Sequence, residues 1–395
     1  MNEDTQLKNP SKLWIVLLCV GIATFCAGIG IIIWLLVKPP VEIAAIEYPV
    51  IPSKMEATDV TYSNLTGEVL SDVSLKNAPA YCIQTPNGTD GARPQAGLNT
   101  AGVIFEAIAE SGITRFAAIY QNPESAVIGP IRSLRLYYLQ WDTPFDCTIV
   151  HAGGADDAIA AVRSGGYRDL TENYTYMYRG TYGERRWNNL FTTSTLLRQF
   201  GTNNGYDSSE IKGFTRMTLA ESSRARINDL ASAKLNITTP ASGDTSELVA
   251  KVSEIGFNFG GWPNFNVRYK YDVSTNKYLR SYESGAAHEV YSCPSGDLGE
   301  KNPEDVCELT QMAPSVVVAM VVSEKRAWDG YHEDITTVGS GDVYIFQNGG
   351  MKQGTWNKDS VDEQIRFLDA SGDEIKLAPG QTIISAIPTY GSIDF

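Results

Sequence analysis

The sequence contains few basic residues and few histidines. Lysine and arginine together number 32, against 46 aspartates and glutamates, so the formal net charge is −14, and there are 3 histidines. A protein that binds nucleic acid without sequence preference needs a basic field that displaces counterions from the phosphates. The acidic balance therefore argues against nucleic acid as a partner.

Short motifs of common enzymes and metal sites are also missing. The chain has no H-E-x-x-H, no phosphate-binding G-x-x-x-x-G-K and no G-x-S-x-G nucleophile elbow. Its cysteines show none of the C-x-x-C spacing that is typical of zinc sites. We therefore assign no catalytic residue, metal or cofactor from the sequence, and we favour a protein that is not an enzyme.

One stretch lacks charge altogether. Leu13–Val37 contains no charged residue, and a helix of this length rises about 37 Å, which exceeds the roughly 30 Å of a hydrocarbon core. Trp14 and Trp34 lie near its two ends, where indole rings favour the membrane interface. The lysines of residues 1–12 favour a cytoplasmic N-terminus by the positive-inside rule. The sequence thus predicts one transmembrane helix at 13–37, with everything after it outside the cytoplasm.

The rest of the chain divides into a linker and two domains. Residues 38–76 are rich in proline at their start and polar afterwards, which predicts an extracytoplasmic linker. In residues 77–236 strand and helix patterns alternate, which predicts an α/β domain. In residues 247–395 the hydrophobic period changes to two, which predicts a mainly antiparallel β domain. The fold class is therefore α+β overall, after one transmembrane helix.

Individual elements follow from local patterns. In the first domain we predict helices at Ala101–Glu110 and Ile131–Trp141 and a strand at Ile113–Gln121. In the second domain, Asn348-Gly349 predicts a tight hairpin between two strands.

Four cysteines lie outside the apolar stretch. Cys293 and Cys307 bracket the polar loop CPSGDLGEKNPEDVC, which predicts a disulfide in an oxidising compartment. Cys82 and Cys147 lie in apolar, strand-like surroundings, where either a second disulfide or two buried thiols would fit.

Several segments carry a likeness to a known family. They read DGARPQAGLNTAGVIFEAIAESGITRFAAIYQ, IGPIRSLRLYYLQW and IVHAGGADDA in the first domain, and VGSGDVYIFQNGGMKQGTW and FLDASGDEIKLAPGQTIISAIP in the second. In this order they resemble the YerB-like bacterial lipoproteins, from about Asn77 to Pro388. The resemblance implies an envelope protein with two domains and no established catalytic residues. This chain departs from it by a predicted transmembrane anchor in place of the lipidated cysteine, and by Asn188-Asn189 and His288-Glu289 where the family is expected to have His-Asn and His-Asp.

The first domain uses arginine without lysine. Between Asn77 and Glu210 every basic residue apart from His151 is an arginine, and arginine holds a carboxylate or phosphate in two places where lysine is a point charge. This bias predicts a ligand site for an anionic group. Its candidate members are Glu106, Glu110, Arg115, Arg132, Arg135 and His151, with Arg132 and Arg135 on one helix face. The alternative is a structural network of arginine–carboxylate pairs.

A tyrosine-rich segment follows. Tyr174, Tyr176 and Tyr178 would share one face of an extended chain, and Arg185 and Arg186 come shortly after. Such an aromatic surface suits sugar or peptide recognition. The alternative is a ribbon packed against its own domain.

These observations lead to three hypotheses about function. The first is a membrane-anchored, extracytoplasmic envelope protein that binds an anionic cell-wall or protein partner through the arginine face. The second is a hydrolase or transferase acting on peptidoglycan, with Glu106 or Glu110 and His151 as acid/base groups. The third is a structural adaptor whose β domain docks onto a membrane enzyme.

Overall fold

The folded part of the protein consists mainly of β-strands. The structure, a computed structural model, describes residues 60–180, 187–226 and 252–395, and Val60–Phe395 form one compact unit. The predicted cytoplasmic segment 1–12, the predicted transmembrane helix at 13–37 and most of the predicted linker lie outside the described residues. Within the described residues, no helix combines the length and apolar character needed to cross a membrane.

Strands run through both halves of the chain, residues 60–226 and 252–395. The strands of the first half are β1 (Ala80–Pro86), β2 (Val103–Glu110), β3 (Ile113–Gln121), β4 (Thr148–Val150), β5 (Asp169–Leu170), β6 (Tyr178–Arg179) and β7 (Leu190–Phe191). The strands of the second half are β8 (Glu254–Asn258), β9 (Val267–Asp272), β10 (Lys277–Tyr282), β11 (Glu289–Ser292), β12 (Glu308–Gln311), β13 (Val316–Val322), β14 (Glu324–Arg326), β15 (Glu333–Ile335), β16 (Gly339–Gln347), β17 (Gly350–Lys358), β18 (Arg366–Leu368), β19 (Thr382–Pro388) and β20 (Ser392–Asp394). The named helices are α1 (Leu136–Asp142), α2 (Asp156–Ser164), α3 (Ser194–Asn204) and α4 (Pro303–Val306), and residues 219–226 are helical as well.

Ten strands from both halves form one mixed sheet. Their order is β18-β17-β16-β13-β19-β2-β3-β1-β4-β5. Near the C-terminus, β19 lies between β13 and β2 and pairs with both in parallel. A separate antiparallel sheet has the order β10-β9-β8-β20. Because β2 and β19 come from different halves, the two halves share the central sheet. The predicted domain boundaries, 77–236 and 247–395, therefore remain predictions. They do not divide the chain into two separate sheets.

Strand β2 corrects one predicted element. The sequence predicted a helix at Ala101–Glu110, but Val103–Glu110 is a strand. Both of its faces are buried: Phe105 packs with Trp141 of α1 on one face, and Ile104 packs in the same cluster as Leu197 of α3 on the other. A strand covered on both faces has apolar residues at nearly every position, and this pattern cannot be told from a buried helix by periodicity. The first half is accordingly β-rich, with few helices.

Other predicted elements fit more closely. Strand β3 spans the predicted range Ile113–Gln121, and Asn348-Gly349 forms the turn between β16 and β17. Helix α1 begins at Leu136, later than predicted. The backbone amides of Ile131 and Arg132 instead donate to the carbonyls of Leu190 in β7 and Gln84 in β1. These amides are therefore not available to a helix that begins at Ile131.

The folded unit also begins earlier than predicted. Leu65, which the sequence assigned to the linker, is buried in the core beside the central sheet. Its carbonyl oxygen accepts a hydrogen bond of 2.6 Å from Nη2 of Arg216. The segment around Leu65 therefore packs against the domain that the linker was expected to hold off the membrane.

Two disulfides join parts of this unit. Cys82 on β1 pairs with Cys147, which directly precedes β4, and β1 and β4 are neighbours in the central sheet. Cys293 pairs with Cys307 and closes the loop between β11 and β12. The question that the sequence left open for Cys82 and Cys147 is thus answered by a second disulfide.

Candidate functional site

Three of the predicted site residues form one ion-pair cluster. The carboxylate of Glu110 lies 2.6 Å from Nη2 of Arg115 and 2.5 Å from Nη2 of Arg135. Burial opposes ionisation of Glu110, but the two guanidinium groups outweigh it and lower the pKa of this carboxyl group. Two arginines share one carboxylate, so the cluster keeps one formal positive charge.

Glu106 does not join this cluster because of a β-bulge. The register between β2 and β3 shifts between Ile108 and Glu110, and a shift of one residue moves a side chain to the opposite face of a sheet. Glu110 therefore lies on the face of Arg115, while Glu106 lies on the other face. The sequence had placed both glutamates one turn apart on a helix, where they would have pointed the same way.

Glu106 belongs to a polar network that connects the two halves. Both of its carboxylate oxygens accept hydrogen bonds of 2.8 Å from Nη2 of Arg280 on β10, and both side chains are fully buried. Asn87 and Thr114 from the first half and Ser385 from the second also contact the carboxylate. This is the structural arginine–carboxylate network that the sequence offered as the alternative, although Arg280 lies outside the segment considered.

The same network contains a histidine that the sequence did not assign to a site. Nη1 of Arg280 donates to Nδ1 of His288, and Nε2 of His288 lies 3.0 Å from Oε1 of Gln95. Burial lowers the pKa of His288 well below its usual value, and the charges of Arg280 and Arg93 lower it further. A neutral imidazole that accepts from Arg280 and donates to Gln95 satisfies both contacts.

The remaining two candidates lie apart from both clusters. Nη1 of Arg132 donates to the carbonyl of Trp187 at 2.9 Å, and Arg132 precedes α1, so it shares no helix face with Arg135. The ring of His151 is buried, with Nδ1 at 2.7 Å from the carbonyl of Gly153 and Nε2 at 2.9 Å from the carboxylate of Asp169. Both of its ring nitrogens are thus engaged within the protein.

The tyrosine segment is not one aromatic face. Tyr174 is exposed and its hydroxyl donates to Glu172. Tyr176 packs edge-on against Phe200 of α3, and Tyr178 is buried with its hydroxyl on the carbonyl of Lys301. The chain turns at residues 174–176, so alternate residues do not point the same way. This arrangement matches the packed ribbon that the sequence offered as the alternative.

The Arg135 side of the ion-pair cluster opens onto a cleft that the sequence did not predict. The cleft has a volume of about 680 Å³ and lies between α1, the start of α2 and the β14–β15 hairpin. Trp328 lines it with 87 % of its area exposed. We call it the Trp328 cleft. A lone tryptophan in a hydrophilic turn carries no sequence pattern that would mark it as a site.

Charges in the Trp328 cleft are mixed and largely paired. Lys325 lies 3.3 Å from Asp334, Arg326 lies 3.6 Å from Glu333, and His332 lies 2.6 Å from Asp329. Asp156 and Asp157 of α2 add negative charge, and Arg135 adds positive charge. The cleft therefore offers many hydrogen-bonding groups without a strong field of either sign.

Exposed aromatic side chains surround the nearby β2–β3 turn. Nε1 of Trp262 donates to the carbonyl of Ser111 at 2.9 Å, and Gly112, at φ 77°, lets the Trp262 loop approach its backbone. On the other side of the turn, the backbone of Glu110 forms an isolated β-bridge with the backbone of His332. The ring of His332 contacts that of Tyr331. Tyr390 packs beside Gly260. A single exposed aromatic is ordinary on a soluble surface, whereas a group of them marks an interaction site more often. We call Trp262, Trp328, Tyr331 and Tyr390 the aromatic rim.

The fold thus defines a β-rich protein whose two halves share a central sheet, with a mixed-charge cleft beside an aromatic rim. Residues 65–207 match the N-terminal domain, and residues 258–384 the C-terminal domain, of a family described as protein of unknown function (DUF3048). The chain belongs to this two-domain, YerB-like family, as the resemblance predicted.

Two relatives support this assignment. YerB of Bacillus subtilis (strain 168), which carries the name of a candidate lipoprotein, is 24% identical over 307 residues, covering 76% of this chain and 79% of YerB. The crystal structure of the YerB protein from Bacillus subtilis matches with a TM-score of 0.64 at 22% identity, covering 85% of this chain and 100% of that chain. The β-rich, two-domain fold is confirmed by this match.

Proposed function

We propose that the protein is an extracytoplasmic envelope protein, held in the membrane by the predicted helix at 13–37, that binds a cell-wall glycan strand in the Trp328 cleft. The placement is supported by the uncharged stretch Leu13–Val37 and by the name of the relative YerB as a candidate lipoprotein. The two disulfides support it as well, since disulfides persist in oxidising compartments outside the cytoplasm.

The observation that carries the binding role is the exposure of Trp328. An indole ring with 87 % of its area in water gains when an apolar surface covers it. The C–H faces of a sugar ring are such a surface, and sugar hydroxyls need the donors and acceptors that line the cleft. Because most of the charges are paired, a neutral or mixed-charge glycan fits better than the anionic cell-wall or protein partner that the sequence suggested.

The hydrolase hypothesis gains no support from its named residues. The side chain of Glu106 is fully enclosed and held by Arg280, and His151 is buried with both ring nitrogens engaged. A general acid or base must come within hydrogen-bond reach of the substrate, and neither Glu106 nor His151 is exposed to one. Glu110 is held by Arg115 and Arg135, which outweigh burial and lower the pKa of its carboxyl group. No observation favours the adaptor hypothesis either.

Binding to glycan strands stripped of their peptides tests the proposal. Residues 60–395, which form the compact unit, are mixed with these strands, and binding is compared for wild type, Trp328→Ala and Trp187→Ala. Trp187 is the matched control, because it is also a well-exposed tryptophan and its contact to Arg132 is through the backbone. We expect Trp328→Ala to weaken binding about tenfold or more, roughly 1.4 kcal/mol, because a buried aromatic anchor dominates an interface.

Three results would contradict this proposal. One is equal binding by the two tryptophan variants. Another is that the wild type does not bind the stripped strands, even if it captures envelope proteins. The third is the release of shortened products, detected by mass, since that would make the protein a glycan-cleaving enzyme.

A further inference from the structure

A second pocket lies beside the residues that follow Trp262 in the sequence. Its volume is about 490 Å³, and Arg93, Asn264, Tyr282 and Ala286 contribute to its walls. Trp262 belongs to the aromatic rim and is followed directly by Pro263 and Asn264, which line this pocket. We call it the Arg93 pocket.

The guanidinium group of Arg93 is fixed in place. It lies over the ring of Tyr282 at 3.9 Å from the ring centre and near that of Phe265 at 5.1 Å. Its Nε donates to Oδ1 of Asn87 at 2.9 Å, and Asn87 in turn is held by the buried network around Glu106. A guanidinium held in this way loses little freedom when it binds a ligand.

The hydrogen-bonding capacity of Arg93 is not used up. An arginine has five N–H donors. Nη1 and Nη2 share a single carbonyl oxygen, that of Asn264, at 3.2 and 3.3 Å. Each of the two terminal nitrogens therefore keeps one N–H group beyond those that these contacts use.

Arg93 also has no ion pair among the described residues. Glu283, which lines the same pocket, is paired with Arg268 at 2.8 Å, and Glu106 is paired with Arg280. Burial lowers the pKa of Arg93, and the nearby charge of Arg280 contributes in the same direction. A bound anion would offset both effects, since an opposite charge favours the ionised guanidinium.

We infer that the Arg93 pocket binds a carboxylate carried on a small apolar group. The inner N–H groups of Nη1 and Nη2 already meet the carbonyl of Asn264, so the two remaining N–H groups point away from each other. A carboxylate oxygen would therefore accept a charge-assisted hydrogen bond from one of them. The ring of Tyr282, Pro263 and the methyl group of Ala286 give the pocket apolar walls for a group of the size of an alanine side chain. A doubly charged phosphate fits less well, because Glu283 adds negative charge to the wall. The site is independent of glycan binding in the Trp328 cleft.

Calorimetry on the full-length protein in detergent micelles tests the inference. The probes are N-acetyl-dialanine with a free carboxylate, the same dipeptide with a C-terminal amide, and propionate. We expect the free acid to bind at least about tenfold more tightly than the amide, because the amide lacks the negative charge that attracts the guanidinium. Propionate that binds as tightly as the dipeptide would assign the pocket to small free acids, and a tighter dipeptide would assign it to peptide C-termini. Both results support carboxylate recognition.

Two variants and a control complete the experiment. Arg93→Gln removes the charge, and Ala286→Leu fills the pocket and leaves Arg93 in place. If both variants lose binding, misfolding of one variant cannot explain the result. Arg366→Gln is the control, because Arg366 is an exposed arginine on β18 that pairs with Asp359. We expect binding to be lost in the first two and unchanged in the third. Equal binding of acid and amide, binding unchanged in Arg93→Gln, or no binding of either acid would overturn the inference.

Discussion

Glu324 shows how one buried oxygen can link stability to pH. Its Oε1 accepts a hydrogen bond of 2.5 Å from the hydroxyl of Tyr390, while Oε2 is buried without a hydrogen-bond partner among the described residues. Burial, together with the charge of Glu333, raises the pKa of Glu324 to about 7, although the Tyr390 hydroxyl works against this shift. A proton on Glu324 therefore relieves an unfavourable charge near neutral pH.

The first prediction concerns Glu324→Gln. The unfolded-state pKa of a glutamate is about 4.3, so the folded state binds the proton more tightly. The stability that this proton provides is fully present below about pH 4.3 and is lost as the pH rises through the folded-state pKa of about 7. Glu324→Gln removes this loss, which has a limiting slope of about 1.4 kcal/mol per pH unit. Urea unfolding across this range should show a flatter pH dependence for the variant.

The matched control for this experiment is Glu308→Gln. Glu308 is an exposed glutamate on β12, so its replacement should leave the pH dependence of the wild type in place. Identical pH profiles for Glu324→Gln and the wild type would show that Glu324 is not the group that titrates.

At the scale of the elements, local pattern predicted well where turn residues mark the ends of a segment. Strand β3 and the Asn348-Gly349 hairpin came out as expected because such turn residues are local signals. Strand β2 did not, because residues far along the chain, among them Trp141 of α1 and Leu197 of α3, cover its two faces. The candidate site could be predicted only in part for the same reason. Glu110, Arg115 and Arg135 do meet, but the bulge that separates Glu106 from them and the position of Trp328 have no local sequence signature.

The two disulfides close loops of different length. Cys82 and Cys147 are 65 residues apart, and Cys293 and Cys307 are 14 residues apart. In the chain-entropy description, a longer closed loop restricts the unfolded chain more strongly. The bond between β1 and β4 should therefore stabilise the fold more than the bond between β11 and β12.

The second prediction compares the two paired alanine variants. Cys82→Ala with Cys147→Ala should lower the free energy of unfolding by about 4 kcal/mol, and Cys293→Ala with Cys307→Ala by about 3 kcal/mol. Burial adds to the first value, because Cys82 is fully enclosed and alanine leaves a small cavity. Chemical denaturation of both variants without reductant measures the difference. A larger loss for the Cys293–Cys307 variant would refute the loop-length argument.

At the scale of the whole molecule, the two halves are connected by buried charge as well as by strands. Glu106 comes from β2 and Arg280 from β10, and neither side chain is exposed. Burial lowers the pKa of Arg280, but the attraction of Glu106 and the neighbouring tyrosines outweighs it, so the pKa is raised overall. A buried pair of this kind is costly to break, because the remaining partner is left charged and without water.

The third prediction is a double-mutant cycle on this pair. Glu106→Ala and Arg280→Ala should each destabilise the protein by about 3–5 kcal/mol. The double variant should cost clearly less than their sum, because no unpaired charge is left behind. Thermal and urea unfolding measure all three.

The Arg268–Glu283 pair serves as the control cycle. It is also an arginine–glutamate pair at 2.8 Å, but both side chains are about half exposed. Its coupling should be below about 1 kcal/mol, as for other pairs in water. Equal coupling energies in the two cycles would mean that enclosure of Glu106 and Arg280 has no energetic consequence.

The position of β19 between β13 and β2 fixes an order of events during synthesis. Val103 of β2 faces Thr382 of β19, so one edge of β2 stays uncovered until residues 382–388 have left the ribosome. An uncovered edge has unpaired backbone groups that can pair with another chain. Until β19 is made, this edge of β2 is therefore open to pairing with a neighbouring chain.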